Sequence, residues 1–129
     1  MATTKKPSLS PLMAKAEPPP SRQETMDAMQ SLYDTLTEAY WTASTIEAKD
    51  RIYGAEEVVF DILTELQRED LEANTAAFKA AAEKVAAVMG KVEQLKQDID
   101  KLIHAMKVAV KVTAALDKGV GLAIKYFGV

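Results

Sequence analysis

Residues 78–127 read FKAAAEKVAAVMGKVEQLKQDIDKLIHAMKVAVKVTAALDKGVGLAIKYF, and apolar side chains recur through the whole stretch on one seven-residue register. The a positions are Phe78, Val85, Val92, Ile99, Met106, Thr113, Val120 and Phe127; the d positions are Ala81, Val88, Leu95, Leu102, Ala109, Leu116 and Ala123. A register kept that long predicts a helix of coiled-coil type, in which a and d side chains insert between those of a facing helix.

The stripe widens near Leu102. Before it, the flanking e and g positions are alanine or mostly charged; after it they include Ile103, Val110, Val112 and Ile124, and the c positions Val108, Ala115 and Leu122 are apolar too. A two-helix seam needs only a and d buried, so residues 103–127 require a cover beyond one helix. What stays polar there is a line of lysines, Lys111, Lys118 and Lys125, with Lys107 and His104 beside it.

Outward from this stretch, the remaining sequence divides in two. Residues 1–20 hold all five prolines amid Ser, Thr and Lys, with few large apolar side chains. Such a segment has too little surface to bury to offset its ordering entropy, and is expected to be a disordered tail. Ser21 and Glu24 then form an S-x-x-E capping box, which sets the start of the first helix. Met26, Met29, Tyr33, Leu36, Tyr40 and Ala43 follow helical spacing. The phase slips between Ile46 and Arg51, where Ser44-x-x-Glu47 offers a second cap, and resumes with Ile52, Ala55, Val59, Ile62 or Leu63, and Leu66. From Gln67 to Thr75 only Leu71 is strongly apolar, and Asn74 and Thr75 are good N-caps, so a reversal is expected at 71–75.

The expected fold is therefore all-α, with a helical domain over 21–129. Two architectures fit. One is a long antiparallel hairpin of arms 22–71 and 76–127, each ~75 Å long at ~1.5 Å per residue. The other is a compact coiled-coil-like bundle with further breaks near 48 and 90, where Gly90 sits at an outward position. Charge supports placing the arms side by side: residues 21–74 carry thirteen acids against four bases, a balance of −9, whereas residues 75–129 carry nine lysines against five acids, a balance of +4.

Catalytic constellations are missing from the sequence. There is no cysteine, and His104 is the single histidine, placed outside the seam. Glu57, Asp61 and Glu65 share one helix face, but the Glu-x-x-His motifs of carboxylate-bridged metal sites do not occur. The G-V-G at 119–121 lacks the strand, third glycine and acidic residue of a nucleotide-binding turn. No enzyme activity, cofactor or small-molecule substrate is expected. An acidic pI near 5.2 with few arginines speaks against nucleic acid.

Two functional expectations remain. The first is a non-enzymatic interaction or assembly protein that associates with itself or a helical partner through Leu102, Ile103, Met106, Val110, Leu116, Val120, Ile124 and Phe127. The second is a membrane-acting protein whose basic amphipathic segment 105–129 meets an anionic bilayer, with Lys107, Lys111, Lys118 and Lys125 as headgroup contacts. Lys5 and Lys6 precede no apolar run of signal-peptide length, and the C-terminal apolar run is too short to span a bilayer. This pattern fits a cytoplasmic protein or one exported by a route that reads no signal peptide.

Overall fold

The computed structural model describes residues 19–68, 71–72 and 75–129. Among the described residues four helices follow one another: α1 (Arg22–Thr42), α2 (Ile46–Leu66), α3 (Ala76–Leu102) and α4 (Met106–Phe127). Each packs against two others in a closed ring, α1 on α2 and α4, α3 on α2 and α4, while the diagonal pairs do not meet. This is an up-down-up-down four-helix bundle. It is the bundle, not the extended hairpin, because the chain also reverses at 43–45 and 103–105; the expectation of disorder over 1–20 falls almost wholly outside the described residues.

Local chemistry explains three of the four helix starts. The Ser21 Oγ accepts from the Glu24 N–H at 3.0 Å. Thr45 caps α2 by accepting from the Ala48 N–H at 3.0 Å, one residue beyond the expected Ser44 cap, so the break lies at 43–45 and not near 48. Thr75 accepts from the Phe78 N–H at 3.1 Å and starts α3. Asn74, the other candidate cap there, lies outside the described residues.

The fourth start has no capping side chain. Ala105 precedes α4 without a side-chain hydrogen bond, and Ile103 leaves α3 in an extended conformation, φ −127° and ψ 113°. Ile103 is 2% exposed, so the turn folds its side chain into the end of the core. Helix α3 runs through Gly90 without a break, and a Cβ there would meet nothing within 4 Å. The break expected near 90 is therefore displaced to 103–105.

That displacement rotates the buried face. In α3 the core residues are Ala81, Val85, Met89, Val92, Leu95, Ile99 and Leu102, close to the expected a/d seam. In α4 they are Ala109, Val112, Leu116, Gly119, Ala123 and Phe127, so the face turns toward the g positions and Met106 is left in solvent. Helix α1 shows a similar turn: Ala28, Met29, Leu32, Leu36 and Ala39 are buried, and Tyr33 and Tyr40 are half-buried at the edge facing α2. Alanines at the centre permit close helix approach, and the larger rings then fit only at the margin. Gly119 marks the tightest point, since a Cβ there would lie 3.2 Å from Leu32 Cδ2 and 3.3 Å from Met29 Sδ.

The cover required over 103–127 is thus supplied from within the chain, by α1 on one side and α3 on the other. The acidic and basic halves do lie side by side. Lys111 bridges α4 to Glu38 of α1 at 3.1 Å, and Lys84 bridges α3 to Glu65 of α2 at 3.5 Å. Arg51 of α2 pairs with Asp98 of α3 at 3.0 Å, and Lys96 pairs with Asp117 across α3 and α4. Exposed pairs of this kind contribute ~0–1 kcal/mol each and orient the helices more than they hold them.

Candidate interaction surface

The eight residues expected to form an interaction surface do not share a face. Leu102, Ile103, Leu116 and Phe127 are buried in the bundle's own core. Val120 and Ile124 are half-buried against it. Met106 and Val110, one turn apart on α4, are 74% and 60% exposed. The cause is the reversal at 103–105, which brings α1 and α3 onto the arc that would otherwise face a partner.

Lys107, Lys111, Lys118 and Lys125 are all exposed, as the heptad spacing implies. Of the apolar side chains expected to enter an acyl boundary beside them, Leu116 and Phe127 are buried and Val120, Leu122 and Ile124 are half-buried. Among the described residues no helix is long and apolar enough to cross a membrane.

A different apolar surface stands on α1 and α2. Tyr40 and Tyr53 have ring centroids 6.4 Å apart, and Tyr33 and Phe60 6.3 Å apart. Antiparallel packing stacks these as successive layers, because both pairs advance seven residues on one helix and retreat seven on the other. Ile46 continues the line on α2, one heptad before Tyr53. Ile46, Tyr53 and Phe60 are 75%, 54% and 58% exposed, and Trp41 beside Tyr40 is 74% exposed. Trp41 stands edge-on to Tyr40, with centroids 5.2 Å apart, and the Lys49 ammonium lies over both rings. Lys49 also donates to the Tyr40 carbonyl at 2.8 Å, which fixes the α1–α2 corner.

Between the two aromatic layers sits Glu56, the buried carboxylate of this face. Its Oε2 lies 3.2 Å from the Thr37 hydroxyl, which is also 3.1 Å from the Tyr33 carbonyl. One hydroxyl proton serves one acceptor at a time. Burial pushes the Glu56 carboxyl above its ordinary value, and the Thr37 hydroxyl partly opposes this.

Among the described residues, the other titratable groups singled out in the sequence do not converge. Glu57 and Asp61 are exposed, whereas Glu65 turns toward α3 and pairs with Lys84 and Arg68. His104 is exposed in the 103–105 turn. No group of three potential metal ligands occurs among the described residues.

Sequence reading by the main periodicity passes over Ile46, Tyr53 and Phe60, because α2 already has a complete core face in Ile52, Ala55, Val59, Ile62 and Leu66. Their signal is a second apolar heptad on the same helix, which the core has no use for. Comparisons of this chain with protein-family models, curated proteins and solved structures give no match.

Proposed function

We propose that this chain is a non-enzymatic helical interaction protein, a bundle that associates with itself or with a helical partner. The observation carrying this reading is the exposed line of Ile46, Tyr53 and Phe60 with Trp41 at its end. Single exposed apolar residues are ordinary on protein surfaces, but large ones aligned on one face mark a contact surface. Aromatic residues are also enriched at the centres of protein interfaces. Met106 and Val110 offer a second, smaller apolar spot on α4. The membrane-acting alternative keeps the exposed lysine line with Met106 and Val110 beside it, whereas Leu116 and Phe127 lie in the core.

A photoreactive phenylalanine analogue placed at position 53 of the full chain, in the cells that make it, tests the reading. A discrete cross-linked species is expected, and Phe60→Glu should remove it. Absence of any discrete species, or one indifferent to Phe60→Glu, refutes the assignment of this face as a contact surface.

A further inference from the structure

Resting on the interaction reading, we propose that the occupant of the α1–α2 aromatic face is the outer face of α4 from a second copy of this chain, so that the protein assembles head to tail. The two faces complement each other in charge. Helix α1 carries four acids against one arginine and α2 six acids against two bases, balances of −3 and −4, whereas α4 carries four lysines against Asp117, a balance of +3.

The charges also frame the apolar residues in a matching way. Asp50 and Glu57 follow Ile46 and Tyr53 at i+4, and Asp27 and Asp34 precede Trp41 on its own heptad line; all four are exposed. On α4 the exposed Met106, Val110 and Ala114 run beside Lys107, Lys118 and Lys125, with Asp117, paired to Lys96, on their own line and Asp100 of α3 at its edge. Apolar centres thus meet within rims whose net charges are opposite, acidic on α1–α2 and basic on α4. A flexible methionine suits contact with aromatic rings, and the small Ala114 leaves room for them.

Direction decides the kind of assembly. Helices α2 and α4 lie diagonally across the ring and make no contact, so their outer faces look away from each other. One copy cannot satisfy its own pair of faces. Pairing two α1–α2 faces by a two-fold axis would set acidic rim against acidic rim, whereas α4 against α1–α2 is a heterologous contact that leaves one free face of each kind and continues to a third copy.

The test uses full-length protein and two single substitutions at exposed positions, Phe60→Glu on one face and Val110→Glu on the other, with circular dichroism to verify that each variant is folded. In sedimentation velocity the wild type should grow beyond a dimer as concentration rises, and each variant alone should be monomeric. An equimolar mixture of the two should form a dimer and nothing larger, because it retains one intact pair of faces. Added salt should weaken the mixed dimer several-fold. Charge substitution gives a second route that spares the apolar contacts: Lys107→Glu with Lys118→Glu should yield a monomer, and mixing it with a copy carrying Asp50→Lys and Glu57→Lys should restore pairing, because the mixture keeps one native pair of faces and gains one with the charges exchanged. A folded mixture that stays monomeric by both routes overturns the proposal, as does either single variant dimerising alone. A monomeric wild type that still forms the cross-link at position 53 overturns self-assembly while leaving the interaction reading with a foreign partner; loss of both removes both.

Discussion

Replacing Gly119 by leucine tests the closest helix contact in the bundle. A Cβ at 119 would already lie 3.2 Å from Leu32 Cδ2 and 3.3 Å from Met29 Sδ, and leucine adds three more carbons in that direction. Met29 and Leu32 are both 0% exposed, so neither can swing into solvent to make room. Overpacking of this kind costs ~1–3 kcal/mol. Leaving glycine for leucine inside a helix contributes up to ~1 kcal/mol in the opposite sense. Gly90→Leu isolates the two effects, since Gly90 is also inside a helix and a Cβ there meets nothing within 4 Å. The propensity gain is common to both variants, so the difference between them is the overpacking cost, ~1–3 kcal/mol. Urea denaturation followed by circular dichroism, at one low protein concentration, measures it, with the slope unchanged if only packing is altered. In thermal melts the same gap corresponds to ~4–8 °C per kcal/mol for a domain of this size. Equal stability of the two variants, or a Gly119→Leu form more stable than Gly90→Leu, would refute the close approach of α1 and α4.

Three further outcomes follow from particular residues. Ile103→Ala should cost ~2–5 kcal/mol as a core truncation, while Met106→Ala should stay within ~0.5 kcal/mol; a helix continuous through 103–105 on one register reverses that order. Thr45→Ala should lose ~1 kcal/mol and Ser44→Ala a few tenths or less, and equal losses in a melting comparison would place the cap wrongly. Glu56 has a folded-state pKa raised above 4.5, so between that value and the raised one the native state holds more protons than the unfolded chain. Stability should fall as pH rises through this window, and Glu56→Gln should abolish the fall and be the more stable protein at neutral pH. Wild-type stability that instead rises through the window, relative to Glu56→Gln, contradicts the burial of this carboxyl.

The sequence alone determined the helical class, the start at Ser21, the reversal before Thr75, and the buried face of α2. Each of these rests on local chemistry: a hydroxyl that accepts a free amide, or apolar residues at helical spacing. It also required a cover over 103–127. The nature of that cover was a tertiary decision. Nothing in Ile103-His104-Ala105 caps or breaks a helix, and the heptad register runs through it unchanged. The chain turns there because the compact ring gives each helix two neighbours and lets Ile103 close the core, whereas two straight arms give each segment one neighbour and leave the wide arc bare. The same turn sends Leu116 and Phe127 inward and Met106 and Val110 outward, so the surface residues could not be sorted before the ring was known. The aromatic line on α2 was in the sequence as a second heptad beside a complete one, but its exposure follows from which face α1 and α3 leave uncovered. Local hydrogen bonds and periodicity are encoded within a few residues, whereas the choice among faces depends on contacts between helices that are distant in the chain.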